Sequence, residues 1–125
     1  MKVYVDMDGV VADFVSGFNK NYPVKLESLS KDELRAYKKS FAEDGFFGSL
    51  PPFPGAKRFM ESLVKMGHDV EILTAVSEHD SVENARQKEK WVKKHLGNYK
   101  FNWVKKAHEK AKFAGPDVML IDDRD

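Results

Sequence analysis

Short runs of apolar and β-branched residues recur along the chain, and stretches with helical spacing separate them. The runs are residues 2–6, 69–74, 100–104 and 117–121. Runs of this length favour buried strands. Because strands that alternate with helices are typical of a parallel sheet with helical crossovers, the pattern predicts an α/β fold. We expect the first strand to be central, between the second and the fourth, with the third strand outside the second.

Apolar residues spaced three or four positions apart predict the helices. One helix is expected over residues 10–21, and another follows Pro54 and ends at Gly67. The apolar side of this second helix is expected to comprise Phe59, Leu63 and Met66. A further helix is expected before Gly97, and a short one near residues 107–114. The helix before Gly97 carries the apolar face Trp91, Val92, His95 and Leu96.

The segment of about residues 19–54 is too long for a single crossover between the first two strands. It contains Ser30 and Glu33 in the S-x-x-E arrangement of a capping box, which predicts a helix start inside the segment. The length of the whole chain suits one domain. We therefore predict a single domain over residues 1–125, with a small helical cap at about 19–54 inserted after the first strand.

The overall composition excludes several kinds of chemistry. The chain has no cysteine, which rules out disulfides, thiolate catalysis and cysteine-bound zinc. The apolar stretch at the N-terminus is too short for a signal peptide. No segment approaches the ~20 apolar residues that a membrane-spanning helix needs. We therefore expect a soluble, cytoplasmic protein without a membrane partner.

Positive charge is concentrated in one part of the chain. The formal net charge is +1, but residues 86–112 hold ten Lys and Arg against two acidic residues, which gives that segment a charge of +8. Most of these side chains are expected to form a solvated helix face. A field that attracts an anionic substrate is the alternative. Binding of nucleic acid is less favoured, because the rest of the chain is acidic.

Two pairs of carboxylates follow predicted strands. Asp6 and Asp8 come after the first strand in D-M-D-G, and Asp122 and Asp123 come after the fourth in I-D-D. Ligands of parallel sheets bind beyond the carboxyl ends of the strands, so both pairs are expected at one edge. Carboxylates this close repel one another unless they share a cation, and an all-oxygen site suits Mg²⁺. Gly9 permits the tight turn that follows the first pair.

Residues suited to hold a phosphate group are expected at the same edge. Thr74 ends the second strand, where its hydroxyl and the backbone N–H of Ala75 can hold a phosphate oxygen. An ordinary β-branched strand residue is the alternative for Thr74. Lys110 lies just upstream of the last strand, where an ammonium group neutralises phosphate and favours an ionised carboxylate nearby. Lys112 and Lys106 compete for that place, and spacing alone does not choose among the three lysines.

Four segments of the chain resemble, in order, the four motifs of haloacid dehalogenase-type phosphatases. They are DMDGVVADF, ILTA, a lysine before the last strand, and LIDDR. GFFGSLPPFPGA and EKWVKKHLG narrow the resemblance to the 5'(3')-deoxyribonucleotidase family, and the match covers nearly the whole chain. The resemblance implies a Rossmann-like haloacid dehalogenase fold and a phosphomonoesterase. It favours Lys110 as the lysine of the third motif, because Phe113 and Ala114 follow it as an apolar and a small residue do in relatives. Compared with relatives, this sequence has about one residue more between Lys110 and LIDDR, so Lys112 stays a candidate for the same motif.

The resemblance also implies a role for each site residue. Asp6 is expected to be the nucleophile that forms an aspartyl-phosphate, and Asp8 the general acid and base. Mg²⁺ is expected between Asp6, the backbone carbonyl of Asp8 and the Asp122–Asp123 pair. The residues expected to hold the transferred oxygens are Gly9, Thr74, Ala75 and Lys110.

The substrate implied by the resemblance is a nucleoside monophosphate, with a preference for deoxyribose and pyrimidine. Phe46 and Phe47 in the predicted cap are expected to face its base or sugar, with packing of the cap against the core as the alternative. A phosphatase acting on another small phosphate ester or on a nucleic-acid 3'-phosphate is a second interpretation. A catalytically inactive phosphate-binding module is a third. The sequence does not indicate the oligomeric state.

Overall fold

The computed structural model describes residues 1–123; Arg124, which closes the LIDDR segment, and Asp125 lie outside the described residues. The sheet consists of four parallel strands. They are β1 Lys2–Val5, β2 Asp69–Ala75, β3 Lys100–Val104 and β4 Val118–Ile121. The strand order β3-β2-β1-β4 confirms the predicted α/β fold and the central place of the first strand. β1 is short, and its residues Val3 and Val5 are fully buried.

Helices connect the strands, as their alternation along the sequence predicts. Within the described residues they are α1 Phe14–Asn21, α2 Lys31–Lys38, α3 Phe41–Asp44, α4 Ala56–Lys65 and α5 Ser81–His95. Three short 3₁₀ turns lie at Leu26–Ser28, Phe47–Ser49 and Ala107–Phe113. The predicted capping box is formed at α2, where the Glu33 N–H donates to Ser30 Oγ and the Ser30 N–H donates to the Glu33 carboxylate. None of the helices in residues 1–123 has both the length and the apolar character of a membrane span.

The first helix begins at Phe14, four positions later than predicted. Its predicted first turn is used by a hydrogen-bonded loop instead. In this loop the Gly9 N–H donates to the Ala12 carbonyl at 2.9 Å, and the Ala12 N–H donates to the Met7 carbonyl at 2.9 Å. Asp13 then caps α1 by accepting from the Ser16 N–H. The acidic motif after β1 therefore lies in a compact loop and not on a helix.

The predicted apolar side of α4 was wrong for two of its three residues. Met60 and Ala56 are the buried residues of this helix, and Leu63 packs partly against the core. Phe59 is 37% exposed and Met66 is 69% exposed. The stripe that starts from Ala56 and Met60 has the same three-to-four spacing as the predicted one, so periodicity alone could not decide between them.

An aromatic cluster packs between α1 and the segment that follows it. Its rings are Phe14, Phe18, Tyr22, Tyr37, Phe41, Phe46 and Phe47. Phe41 and Phe46 stack with their centroids 4.0 Å apart. Trp91 on α5 donates from Nε1 to the Leu50 carbonyl at 2.7 Å, which attaches this segment to the last long helix. The interpretation of residues 19–54 as an inserted cap stays a prediction.

Candidate active site

The loops that follow β1 and β4 meet at one edge of the sheet. Parallel pairing places Val5 beside both Ile72 and Ile121. The residue after Val5 therefore emerges next to the residue after Ile121, which brings Asp6 beside Asp122. The Asp6 N–H donates to the Ile121 carbonyl at 2.9 Å, so the ladder continues one residue beyond β1. Two acidic pairs from opposite ends of the chain thereby become neighbours.

Three carboxylates form a cluster at this edge. Oxygens of Asp6, Asp122 and Asp123 lie within 4.8 Å of one another. Asp6 is buried, Asp122 is half-buried and Asp123 is exposed, so the cluster runs from the core to the surface. Hard oxygen donors that converge on a small volume are the ligands that Mg²⁺ prefers. The donor set therefore fits a magnesium site.

Lys110 lies between two of these carboxylates. Its Nζ is 3.2 Å from Asp6 Oδ2 and 3.0 Å from Asp122 Oδ2, and the side chain is buried. Lys112 and Lys106 are exposed and pair with glutamates outside the cluster. Among the three lysines that the sequence left open, Lys110 alone contacts the acidic cluster within the described residues. Its role in catalysis stays a prediction.

Burial and neighbouring charges move the pKa values of two of the carboxyls in opposite directions. Burial raises the pKa of Asp6 to about 6, and the nearby Asp8 and Asp122 act in the same direction, while Lys110 opposes them. Burial acts to raise the pKa of Asp122, but the hydrogen bonds and the positive charge around it, those of Lys110 foremost, together outweigh burial and hold that pKa well below its usual range. Asp6 is therefore a carboxyl whose ionised form depends on a nearby cation.

The loop after β1 fixes the orientation of the Asp6 carboxylate. The Met7 N–H donates to Asp6 Oδ1 at 2.8 Å, which leaves Oδ2 directed at Lys110. Gly9 has a φ of 81°, in the left-handed region that favours glycine. That conformation turns the chain back towards Ala12 and keeps the loop closed.

The whole chain, residues 1–125, matches the family model described as "5' nucleotidase, deoxy (Pyrimidine), cytosolic type C protein". The chain belongs to this nucleotidase family. It is accordingly a hydrolase of the phosphomonoesterase type, as the resemblance of its motifs predicted.

Relatives of this chain occur in human, in a bacterium and in a phage. The human 5'(3')-deoxyribonucleotidase, cytosolic type, is 30% identical, and the match covers 100% of this chain and 71% of the human protein. One protein of Bordetella pertussis and one of Vibrio phage KVP40 are each named provisionally as a 5'(3')-deoxyribonucleotidase. They are 29% and 32% identical to this chain, respectively. Their matches cover 99% and 98% of this chain, and 74% and 65% of the relatives' own lengths.

The second strand, β2, places Thr74 and Ala75 at the same edge. Thr74 is buried, and its Oγ1 accepts from Lys88 Nζ at 3.0 Å. The Ala75 carbonyl accepts from the same ammonium at 2.9 Å. The residues expected to hold phosphate thus share a neighbour that sequence reasoning did not single out.

That neighbour, Lys88, is a residue which sequence reasoning missed. Its side chain is 0% exposed, and its Nζ lies 2.9 Å from Asp8 Oδ2. The other basic residues of the stretch 86–112, apart from Lys110, are exposed as expected of a solvated face. A signal was present, because Lys88 lies three residues before Trp91 and four before Val92 on the apolar face of α5. Lys88 was counted with the other basic residues of the stretch 86–112, and this concealed the signal.

Phe46 and Phe47 lie inside the aromatic cluster. Phe46 is 1% exposed and stacks on Phe41, and Phe47 is 4% exposed. The Phe47 ring lies with its centroid 4.4 Å from Lys88 Nζ. Both rings are occupied by protein contacts, so stacking on a base would require the cluster to open. Contact of either ring with a substrate stays a prediction.

Proposed function

We propose that the chain is a Mg²⁺-dependent 5'(3')-deoxyribonucleotidase that forms an aspartyl-phosphate on Asp6. The observation that supports this most is the arrangement of the Asp6 carboxylate. One of its oxygens accepts from the Met7 N–H and the other faces Lys110, beside Asp122. A nucleophile held in one orientation is suited to in-line attack on phosphorus. The names of the relatives support a nucleoside monophosphate as the substrate.

In the first step, Asp6 Oδ2 attacks the phosphorus of the monoester and the bond to the nucleoside oxygen breaks. Asp8 donates a proton to that oxygen, so the nucleoside leaves as a neutral alcohol. The transferred phosphoryl oxygens are held by Lys110, the Thr74 hydroxyl and backbone N–H groups of the two loops. The product of this step is an aspartyl-phosphate and a carboxylate on Asp8.

In the second step, the Asp8 carboxylate takes a proton from a water molecule. The oxygen of this water attacks phosphorus, and the bond between phosphorus and Asp6 Oδ2 breaks. Orthophosphate leaves, Asp6 is again a carboxylate and Asp8 is again protonated. The same side chain thus acts as acid and then as base.

The acidic cluster has the composition of a metal site for this reaction. The residues that would hold Mg²⁺ are Asp6, Asp122 and Asp123, with the backbone carbonyl of Asp8. When bound, the ion offsets the repulsion between the phosphate and the carboxylates. Burial disfavours the ionised form of Asp6, and a bound cation would favour it.

Substrate preference and location rest on the family more than on the site. The family description supports a deoxyribose and pyrimidine preference. The burial of Phe46 and Phe47 gives no independent support for recognition of the base. The name of the human relative supports a cytoplasmic location.

A phosphate-release screen tests the proposal. The substrates are dUMP, dTMP, UMP and glucose 6-phosphate, each with Mg²⁺ and with the ion chelated. We expect Mg²⁺-dependent release that is fastest with the deoxynucleotides and absent in Asp6→Asn. Asp117→Asn is the matched control, because Asp117 is an exposed carboxylate on the turn before β4, and it should keep full activity.

Each alternative has its own outcome in this screen. Fastest release from glucose 6-phosphate would replace the nucleotidase with a phosphatase of other small esters. Release from Asp6→Asn at the wild-type rate would exclude the covalent mechanism. Binding of phosphate without release from any ester would identify an inactive phosphate-binding module.

A further inference from the structure

Lys88 has the features of a functional residue, although it lies in the middle of a helix. It is 0% exposed, and lysine is almost never fully buried unless its charge is paired. An ammonium group has three protons to donate. Its three acceptors are Asp8 Oδ2 at 2.9 Å, Thr74 Oγ1 at 3.0 Å and the Ala75 carbonyl at 2.9 Å. All three acceptors belong to the edge of the sheet that carries the acidic cluster.

The two buried lysines of the site serve different carboxylates. Lys110 contacts Asp6 and Asp122, whereas Lys88 contacts Asp8. They also come from different elements, the 3₁₀ turn before β4 and helix α5. The proposed nucleophile and the proposed acid and base are therefore each held by a cation of their own.

The two oxygens of Asp8 have different surroundings. Oδ2 accepts from Lys88, while Oδ1 is buried and has no hydrogen-bond partner among residues 1–123. A carboxylate anchored through one oxygen presents the other in a fixed direction. The Asp8 side chain as a whole is 27% exposed, so the anchored carboxyl stays accessible to the reacting groups.

Lys88 is itself held by the segment that comprises α3 and the residues up to Leu50. The Phe47 ring lies 4.4 Å from its Nζ, a cation–π distance. On either side along α5, Gln87 Nε2 donates to the Ala42 carbonyl at 2.8 Å and Trp91 Nε1 donates to the Leu50 carbonyl at 2.7 Å. The place of Lys88, and through it that of Asp8, therefore depends on this segment.

We propose that Lys88 is a positioning residue, which anchors Oδ2 of Asp8 and thereby holds this carboxyl in the direction from which it exchanges the proton with the leaving oxygen and then with water. This inference rests on the proposed function. The direct effect of Lys88 is on the direction of a carboxylate, and it touches neither the phosphorus nor the leaving group. Its loss should therefore affect the reaction only as far as the reaction needs Asp8.

The test compares two substrates whose leaving groups differ in their need for a proton. The nucleoside of dUMP leaves as a poor leaving group, whereas the p-nitrophenolate of p-nitrophenyl phosphate leaves without protonation. Lys88→Met removes the charge and keeps an unbranched side chain. We expect kcat for dUMP to fall ~10–100-fold, within the usual contribution of general acid–base catalysis, with KM nearly unchanged. The two substrates are compared in the first step, measured by rapid mixing as the burst of released nucleoside or p-nitrophenol, because the second step needs Asp8 with either substrate. In the first step the fall with p-nitrophenyl phosphate should be much smaller.

A double-mutant cycle separates positioning from a structural effect. In an Asp8→Asn background, Lys88→Met should cause less than a ~3-fold further loss, because residues that act as one unit are non-additive. Lys88→Arg keeps the positive charge and should recover part of the dUMP activity. Lys90→Met, at an exposed position of the same helix, is the matched control and should behave like wild type. Phe47→Leu removes the ring beside Lys88 and should show a weaker form of the same substrate dependence.

Equal losses on both substrates in the first step, or a full multiplicative loss in the Asp8→Asn background, would overturn the inference while leaving the nucleotidase proposal intact. If Lys88→Met does not fold, Phe47→Leu and Lys88→Arg carry the same comparison, and equal losses on the two substrates overturn it there too. Absence of phosphate release by the wild type from either substrate would overturn the proposed function, and this inference with it.

Discussion

Gly9 and Asp123 approach so closely that a β-carbon on residue 9 would lie 2.2 Å from Oδ2 of Asp123. Real β-carbons essentially never come this near to another atom. Gly9 also has a φ of 81°, which other residues adopt only with strain. Glycine at this position therefore lets the loop after β1 lie directly against the acidic residues after β4.

The first prediction compares two glycines with nearly equal backbone angles. Gly55 has a φ of 80° and open space around its α-carbon, so Gly55→Ala should cost only about 1–2 kcal/mol of backbone strain. Gly9→Ala should cost about 1–3 kcal/mol more, because it also displaces Asp123. It should weaken the binding of Mg²⁺, whereas Gly55→Ala should not. Urea unfolding, with and without Mg²⁺, measures both effects, and equal losses in the two variants would contradict the steric argument.

The second prediction concerns the choice of lysine. Lys110→Met removes the cation between Asp6 and Asp122, and it should lower kcat for dUMP by at least ~100-fold, since one electrostatic group in a site is often worth that much. Lys112→Met should have little effect, because Lys112 is exposed and pairs with Glu109. Steady-state kinetics on the two variants decides the matter. A larger loss in Lys112→Met would reverse the assignment.

The third prediction follows from the raised pKa of Asp6. In the folded protein that pKa is about 6, compared with 3.8 for an ordinary aspartate. A carboxyl that binds its proton more tightly when folded stabilises the fold below the unfolded pKa. This stabilisation is lost as the pH rises through the folded pKa. At neutral pH the wild type therefore folds with a buried, ionised carboxylate that destabilises it.

Asp6→Asn removes this charge, so it should be more stable than the wild type by about 1–3 kcal/mol near neutral pH without divalent cation. The difference should shrink as the pH falls from about 6 to about 4, where the wild-type carboxyl takes up its proton. Urea unfolding across this pH range, with the cations chelated, measures it. A wild type that is more stable than Asp6→Asn near neutral pH would contradict the electrostatic account.

The fourth prediction separates packing from substrate contact at Phe46. This ring is 1% exposed and stacks on Phe41 at 4.0 Å. Phe46→Leu should therefore lower the free energy of unfolding by about 1–3 kcal/mol, through lost ring contacts and a partly filled cavity. The ratio of kcat/KM for dUMP to that for glucose 6-phosphate should stay near its wild-type value. A fall in that ratio without loss of stability would show instead that the ring contacts the base.

The fold could be predicted from the sequence because its signals are local and agree with one another. Four strand-like runs alternate with helical stretches, and this order leaves few parallel topologies to choose from. The edge of the sheet at which the acidic residues meet could be predicted as well, because Asp6 and Asp122 each come directly after an apolar run. Two finer details of the fold could not be predicted. The buried face of α4 could not be predicted from spacing, because two stripes of residues on this helix have the same spacing. The start of α1 could not be predicted either, because the loop of residues 9–12 uses backbone hydrogen bonds that leave no pattern in the side chains.

The environment of Lys88 could not be predicted for a different reason. Its burial depends on the Asp8 carboxylate, which is distant in sequence and becomes a partner only after the sheet and α5 have packed. The burial of Phe46 and Phe47 is similar, because an aromatic ring near a predicted entrance fits both a substrate contact and a core position. Only the packed structure distinguishes these environments.

In the proposed mechanism, Asp6 carries the phosphoryl group during turnover. Rapid acid quench of the wild type during turnover of dUMP with Mg²⁺, followed by peptide mass spectrometry, tests it most directly. The covalent mechanism predicts a phosphoryl group on the peptide that contains Asp6, none on the same peptide without substrate, and none in Asp6→Asn. Release of phosphate without a phosphorylated peptide at any quench time, or with the group on another residue, would contradict it.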